Sequence, residues 1–252
     1  MKIAKILGTA VLVSTLGAQA YAAPAAKDVL TTYADIAHAG YEDSVITAKK
    51  LQTAVNALIA DPSATSFDAA KSAWLAARAP YQQTEVYRFG NAIVDDWEGK
   101  VNAWPLDEGL IDYVETDLYG EESEENPAYA ANVIANPSLS ISGETIDASI
   151  IDTGLIESLH EIDDVESNVA TGYHAIEFLL WGQDLHGTDA GNGDRAWTDY
   201  AKGDACTNGN CDRRGAYLKA ATDLMVSDLE WMTAQWVDGG EARAAVLEGD
   251  GV

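Results

Sequence analysis

Basic residues are scarce in this sequence. Its 252 residues include 15 Lys and Arg against 41 Asp and Glu, for a formal net charge of -26. Such a surface repels nucleic acid and anionic lipid, and it favours cations as partners. Adaptation to a salty medium explains the same excess of acid, so the charge alone does not identify a metal site.

Long apolar segments are also absent. The apolar stretch Ile6–Leu16 is too short to span a bilayer, and no later segment is apolar enough to do so. Two lysines precede this stretch and an A-x-A cleavage motif follows at residues 20–22, which predicts a secretory signal over residues 1–22. We therefore expect an exported protein that begins near Ala23 and is soluble in the periplasm or cell envelope.

Cysteine is limited to one pair, Cys206 and Cys211, which flank the turn-forming segment Thr-Asn-Gly-Asn. An oxidising compartment and a short flexible spacer predict a disulfide between them. Closing so small a ring stabilises the protein by about 2 kcal/mol in the chain-entropy model. Zinc binding by the pair is the alternative, which the lack of a second pair disfavours.

Alternating strand patterns are missing, whereas helical periodicity runs through most of the chain. Helices are predicted over about residues 29–60, 66–89, 165–181 and 213–237, the second of them capped by Ser66. The predicted fold class is therefore all-α, a helical bundle formed by residues 23–252. A further helical pattern begins at Glu241 without completing a core element, which predicts a chain truncated at its C-terminus, with a frayed tail as the alternative.

The most informative motif is G-x-H-x-x-E, at residues 172–177. His174 and Glu177 are three residues apart on a mostly apolar helix, so they share one face and are expected to be buried. Burial of both costs several kcal/mol unless each finds a partner or a metal ion. A hydrogen-bonded structural pair is the alternative. The second His of H-E-x-x-H and the final His of H-x-x-E-H are both absent, so no recognised zinc-peptidase spacing is completed.

Further charged residues are predicted near this motif. Extending the apolar stripe of the second helix places Glu85 and Arg88 on its inward face, and Asp107 begins a short helix after Trp-Pro. Convergence of Glu85, Asp107 and Glu177 with His174 would offer three oxygens and one nitrogen, which suits a divalent ion such as iron or zinc. Arg88 would pair with one of the ligating carboxylates. For Asp107, capping of the helix N-terminus is an equally good explanation.

Several motifs together resemble those of the imelysin family, also called peptidase family M75, and in particular its iron-regulated protein A branch. They are the G-x-H-x-x-E motif, residues 84–90 (TEVYRFG), residues 102–114 (NAWPLDEGLIDYV) and residues 206–214 (CTNGNCDRR). The resemblance implies two helical bundles, of which this chain would hold the first and part of the second. It also implies an exported protein whose G-x-H-x-x-E motif binds metal.

Three functions follow as hypotheses. The first is a periplasmic metal-binding protein in iron acquisition, with His174, Glu177, Glu85 and Asp107 as ligands and an envelope iron-uptake partner. The second is a metallopeptidase in which Glu177 or Glu85 acts as general base. The third is a non-catalytic envelope binding module in which the His174–Glu177 pair is structural. Enzymatic activity is therefore left open.

Overall fold

Helices dominate the structure, a computed structural model that describes residues 23–120 and 122–249. The helices are α1 Ala26–Ala60, α2 Ala64–Gln82, α3 Ala92–Asn102, α4 Glu108–Ile111, α5 Thr116–Tyr119, α6 Thr153–Leu159, α7 Gly172–Trp181, α8 Cys211–Gln235 and α9 Glu241–Glu248. The predicted all-α class is confirmed. The predicted secretory signal lies outside the described residues. Within them, no helix is both long enough and apolar enough to cross a membrane.

The longest helix, α1, forms one side of the core. Its buried residues recur every three or four positions, so one stripe faces inward along its whole length. That stripe packs against α2 and α8. The helix ends at Ala60, directly before Asp61-Pro62, as the sequence predicts. The stripe consists of Ala34, Ala37, Tyr41, Ser44, Ala48, Leu51, Val55 and Leu58.

The second helix differs from its prediction at both ends. Its N-cap is Ser63, which exchanges hydrogen bonds with Ser66 in a capping box. Its C-terminus is Gln82, and residues 85–88 form a separate 3-10 turn. In a continuing helix the Tyr81 carbonyl would accept a hydrogen bond from the backbone N–H of Glu85. Here the Thr84 hydroxyl donates to that carbonyl, at 2.7 Å. The predicted continuation to Gly90 is therefore wrong.

A short antiparallel hairpin interrupts the helical pattern. Strands β1 Ser138–Ile141 and β2 Glu144–Asp147 pair from Ser138 opposite Asp147 to Ile141 opposite Glu144. The two turn residues, Ser142 and Gly143, both have positive φ, as tight hairpin turns require. Four residues of alternation were too few to stand out in the sequence, so this hairpin was not predicted.

The C-terminal helices close the core. Helix α8 packs on α1, α6 and α7, and its described span is close to the predicted one. Helix α9 contacts α1, α3 and α8, and its Ala242 is fully buried. Residues 241–248 therefore do contribute to the core, contrary to the expectation from sequence.

Candidate functional site

Helix α7 presents one face to a cleft and buries the rest. Seven of its ten residues are buried, whereas His174, Glu177 and Trp181 are not. Their spacing of three and four places them on one face. The Nδ1 atom of His174 lies 2.9 Å from Oε2 of Glu177. The two side chains are 18% and 40% exposed, so the expectation that both are buried is wrong, and both can meet a ligand from solvent.

The start of α7 is fixed by Gly172, the first residue of the G-x-H-x-x-E motif. Its φ is +79°, and a Cβ atom there would lie 2.5 Å from the carbonyl oxygen of Val101 in α3. Thr171 adds a hydrogen bond from its hydroxyl to the Lys100 carbonyl, at 2.8 Å. These contacts hold α7 against the end of α3. The sequence predicts a helix that begins at Val165, but α7 begins at Gly172. The prediction is wrong because residues 165–171 make other contacts.

The His174–Glu177 pair opens onto a cleft of about 490 Å³. Trp104 stands beside the pair, with its ring centroid 5.0 Å from that of His174, and is 70% exposed. Phe178 and Trp181 line the same cleft. The site is thus an imidazole–carboxylate pair among aromatic side chains. The remaining lining residues are Leu106, Glu108, Gly182, Asp184, Gly191, Asn192 and Gly193.

Glu108 is the cleft residue that the sequence analysis missed. It is the first residue of α4 and lines the cleft together with His174 and Glu177. Burial, helped by the charge of Asp184 and opposed by that of Arg195, raises the pKa of its carboxyl to about 7. The sequence signal was present in the Trp-Pro-Leu-Asp-Glu turn. The choice between its two adjacent carboxylates could not be made without their tertiary contacts.

Asp107, the predicted ligand from that turn, points into a different cluster. Its Oδ2 atom accepts hydrogen bonds from Asn126 at 2.7 Å and from the Ser167 hydroxyl at 2.6 Å. Its backbone N–H donates to the Ser167 carbonyl at 2.8 Å. Asp107 occupies the N-cap position of α4, as predicted, but its side chain does not cap the helix. This carboxylate joins three loop segments and does not line the cleft.

Glu85 and Arg88 also lie away from the cleft. Arg88 pairs with Glu85 at 3.4 Å, with Asp95 at 3.0 Å and with Glu98 at 3.2 Å. Asn102 donates to both Glu85 and Glu98. Glu85 and Arg88 are each 38% exposed and line a separate surface depression, because the 3-10 turn takes them out of the helical phase of α2. Arg88 thus pairs with one of the carboxylates that were predicted as ligands, Glu85, but the predicted inward position of both residues is wrong.

The four predicted metal ligands therefore do not converge. Only His174 and Glu177 are brought together, while Glu85 and Asp107 take part in separate hydrogen-bonded clusters. In the part of the chain that the structure describes, no group of three or more His, Cys, Asp or Glu side chains is arranged to hold a metal ion. The cleft thus supplies two donors to a metal ion, a nitrogen and an oxygen.

A buried ion network lies beside the cleft. Asp112 accepts from Arg195 at 2.7 Å and from Arg214 at 2.6 Å, and Asp199 accepts from Arg195 at 3.2 Å. The Arg195 guanidinium lies 5.4 Å from the centre of the Phe178 ring, whose side chain lines the cleft. The Arg195 backbone N–H donates to the carbonyl of Trp181 at the end of α7. This network anchors the loop that follows α7, and the sequence analysis did not foresee it.

The predicted disulfide between Cys206 and Cys211 is confirmed. The loop that it closes reaches into the ion network, because Thr207 and Asn208 both donate to Oδ1 of Asp199 at 2.8 Å. The disulfide thus lies next to the network and not in the cleft.

Comparison with known proteins places the chain in a family. The solved structure of a proposed iron-regulated protein A precursor from Parabacteroides distasonis matches 92% of this chain with a TM-score of 0.56 and 21% sequence identity. This chain spans 54% of that protein, which shows a shared fold over about half of its length. Iron-regulated protein A of Synechococcus elongatus is 35% identical over 60 residues, which are 24% of this chain and 17% of that protein.

The sequence profile of the family described as imelysin, peptidase family M75, matches residues 37–251. The match includes all of α2 to α9 and the G-x-H-x-x-E motif of α7. Because the profile covers most of the chain, this protein belongs to the imelysin family.

Proposed function

We propose that the protein binds a metal ion through His174 and Glu177 and serves iron acquisition in the cell envelope. The observation that carries this proposal is the position of the pair. On a helix that is otherwise buried, these two side chains form the polar part of the face that opens onto the cleft. An imidazole nitrogen and a carboxylate oxygen are donors that iron, manganese and zinc all accept.

The electrostatics of the cleft favour a cation. Glu108, Glu177 and Asp184 line it, and no Lys or Arg of the described residues does. Burial raises the pKa of the Glu108 carboxyl to about 7, although the charge of Arg195 opposes the rise. A bound cation would stabilise the charged form of that carboxyl, in the same way that an arginine does in a buried ion pair.

The iron-related part of the proposal is supported by the relatives. Both similar proteins are described as iron-regulated protein A, and the chain shares their family. An acquisition role would require export, for which the predicted secretory signal at residues 1–22 is the support. An envelope partner for iron uptake belongs to the same proposal.

A metallopeptidase that uses the same cleft is the alternative. The favouring observation is Glu108, since a carboxyl with a pKa near 7 meets the requirement for a general base at neutral pH. Against it, two protein donors are fewer than the three that catalytic zinc sites use. Incubation of the metal-loaded protein with a peptide library, beside a known peptidase, distinguishes the two: cleavage abolished in Glu108→Gln supports the alternative.

Metal stoichiometry tests the proposal. The protein is dialysed against Fe²⁺, Mn²⁺ or Zn²⁺ and its metal content is measured, for wild type and for His174→Ala/Glu177→Gln. We expect about one equivalent in the wild type and almost none in the variant, as for a single site. The matched control is His38→Ala/Glu42→Gln, which removes a His–Glu pair 3.7 Å apart on α1.

The control should retain the wild-type metal content, and circular dichroism should show that all three proteins are folded. Equal metal content in the wild type and the His174→Ala/Glu177→Gln variant would overturn the proposal. In that case the pair is a structural hydrogen bond, and the third hypothesis, a non-catalytic binding module, would stand.

A further inference from the structure

The cleft is larger than a metal ion needs. Its volume of about 490 Å³ lies within the range of about 300–1,000 Å³ that is typical of sites for small organic molecules. A metal ion with a shell of water takes only part of that space, since a water molecule occupies about 30 Å³. The volume therefore leaves room for an organic molecule beside the His174–Glu177 pair.

The walls of the cleft are suited to flat, apolar groups. Trp104 is 70% exposed although its ring lies 5.0 Å from the ring of His174. Phe178 and Trp181 add two further aromatic side chains to the lining. Aromatic rings that meet in offset or edge-to-face geometry gain affinity beyond the apolar area they bury. The exposed Trp104 ring, beside the two possible metal donors, is thus placed to contact an organic ligand bound to the metal ion.

The small number of protein donors to the metal ion also favours an organic ligand in the cleft. His174 and Glu177 supply two, and no third His, Cys, Asp or Glu is grouped with them among residues 23–120 and 122–249. Zinc takes at least four ligands in protein sites, and octahedral ions take six. The remaining ligands must come from outside these side chains, and a chelator with two donors of its own would supply them.

The charge of the cleft selects among chelators. Glu108, Glu177 and Asp184 line it without a Lys or Arg. Arg195, whose charge reaches Glu108, is buried with its Nη1 atom held by Asp112 and Asp199 and does not line the cleft. An anionic complex such as a metal citrate would be repelled by these carboxylates. A complex that keeps a positive charge would be attracted.

We propose that this cleft takes its metal as a cationic complex with a flat aromatic chelator, which packs on Trp104 while His174 and Glu177 complete the coordination. The inference rests on the proposed function, and it adds the chemical class of the ligand. Trp104, Phe178 and Trp181 are then binding residues for the organic part, and the acidic lining selects for positive charge.

Calorimetric titration tests the inference with four probes: hydrated Zn²⁺, the one-to-one complex of Zn²⁺ with 1,10-phenanthroline, Zn²⁺ citrate and metal-free phenanthroline. Zinc is chosen because it does not change oxidation state. We expect the phenanthroline complex to bind about tenfold more tightly than hydrated Zn²⁺, from ring contacts and apolar burial. Zinc citrate and metal-free phenanthroline should bind more weakly than the complex.

Two single-residue variants test whether the chelator packs on Trp104. Trp104→Ala should reduce the ratio between the two zinc affinities to near one. Trp231→Ala is the matched control, because Trp231 is 47% exposed on α8 and does not line the cleft. This control should leave the ratio as it is in the wild type.

The outcomes separate the inference from the proposed function. Binding of hydrated Zn²⁺ with no gain for the phenanthroline complex would overturn the inference and leave metal binding in place. Tighter binding of zinc citrate, or equal binding of metal-free phenanthroline, would also overturn it. Failure of every zinc-containing probe to bind would overturn the inference, and if dialysis against Fe²⁺ and Mn²⁺ also left the protein without metal, the proposed function would fall with it.

Discussion

The carboxylates of the buried ion network are paired with arginines, whereas those that line the cleft are not, although both regions adjoin helix α7. In the network, the carboxylates of Asp112 and Asp199 pair with the guanidinium groups of Arg195 and Arg214, and these side chains are at most 2% exposed. In the cleft, the lining carboxylates have no Lys or Arg among them, and Glu177 remains 40% exposed.

The difference lies in the partners of the acidic side chains. Within the network two carboxylates face two guanidinium groups, so the protein supplies its own counter-charges, although Nε and Nη2 of Arg195 have no hydrogen-bond partner among the described residues. Among the described residues no Lys or Arg lines the cleft, and burial raises the pKa of Glu108 to about 7, against the opposing charge of Arg195 and together with the charge of Asp184. Sites whose charges are left uncompensated are candidates for ligand binding, because the ligand can complete the balance.

The buried ion network depends most on Asp112, because two guanidinium groups donate to it. We expect Asp112→Asn to lower the free energy of unfolding by about 3–5 kcal/mol, since it removes the negative charge that two buried guanidinium groups share. Urea unfolding measured by circular dichroism checks this. The control is Asp43→Asn, an exposed position on α1 that should change stability by less than about 0.5 kcal/mol. A loss at Asp112 as small as at Asp43 would show that the network does not stabilise the fold.

The position of the cleft relative to the network depends on Gly172. We expect Gly172→Ala to cost about 2–4 kcal/mol, because the new Cβ meets the Val101 carbonyl and the positive φ is unfavourable. Gly143→Ala is a matched comparison, since Gly143 has φ +82° with no atom within 4 Å of the added Cβ. It should cost only about 1 kcal/mol, the conformational part alone.

Equal losses at Gly172 and Gly143, measured by urea unfolding, would contradict this explanation. They would show that the contact with α3 is not what demands glycine in the G-x-H-x-x-E motif. A larger loss at Gly172 would assign the first position of the motif to packing against α3.

The smallest expected effect concerns the pH dependence of stability at Glu108. Its folded pKa is raised from 4.5 to about 7, so the folded state holds the proton more tightly than the unfolded state. The resulting stabilisation is complete below about pH 4.5 and is lost as the pH rises through about 7. Glu108→Gln should therefore become more stable relative to the wild type across this interval.

Thermal unfolding between pH 4.5 and 8 measures this difference. Asp228→Asn is a useful parallel, because burial raises the pKa of Asp228 to about 6 outside the cleft. Its relative gain should therefore be complete at a lower pH than that of Glu108→Gln. A difference between Glu108→Gln and the wild type that does not change with pH would show that Glu108 is well compensated, and the contrast with the network would weaken.

Much of the fold was predictable from local pattern. The end of α1 before Asp61-Pro62, the extent of α8 and the disulfide between Cys206 and Cys211 all agree with the sequence-based predictions. Each depends on residues that are close in sequence: periodic apolar positions, a proline or a short spacer. The pairing of His174 with Glu177 belongs to this group, since three residues of helix place them on one face.

The composition of the cleft was not predictable in this way. Asp107 and Glu108 are adjacent in the sequence, yet only Glu108 lines the cleft. The Asp107 carboxylate instead accepts hydrogen bonds from Asn126 and Ser167. Glu85 does not lie on the inward face of α2, because α2 ends at Gln82, about two turns before its predicted end, and the Thr84 hydroxyl bonds to the Tyr81 carbonyl there.

The sequence by itself determined the helical class, the family motifs, the disulfide and the His174–Glu177 pair, because each depends on periodicity or short spacing within one segment. Only the tertiary structure decided which carboxylates share the cleft with that pair, and which are neutralised by Arg195 and Arg214. Those choices depend on hydrogen bonds between residues that lie up to about a hundred positions apart, such as the one from Arg214 to Asp112. Such bonds form only when packing of the helices brings their partners within about 3 Å.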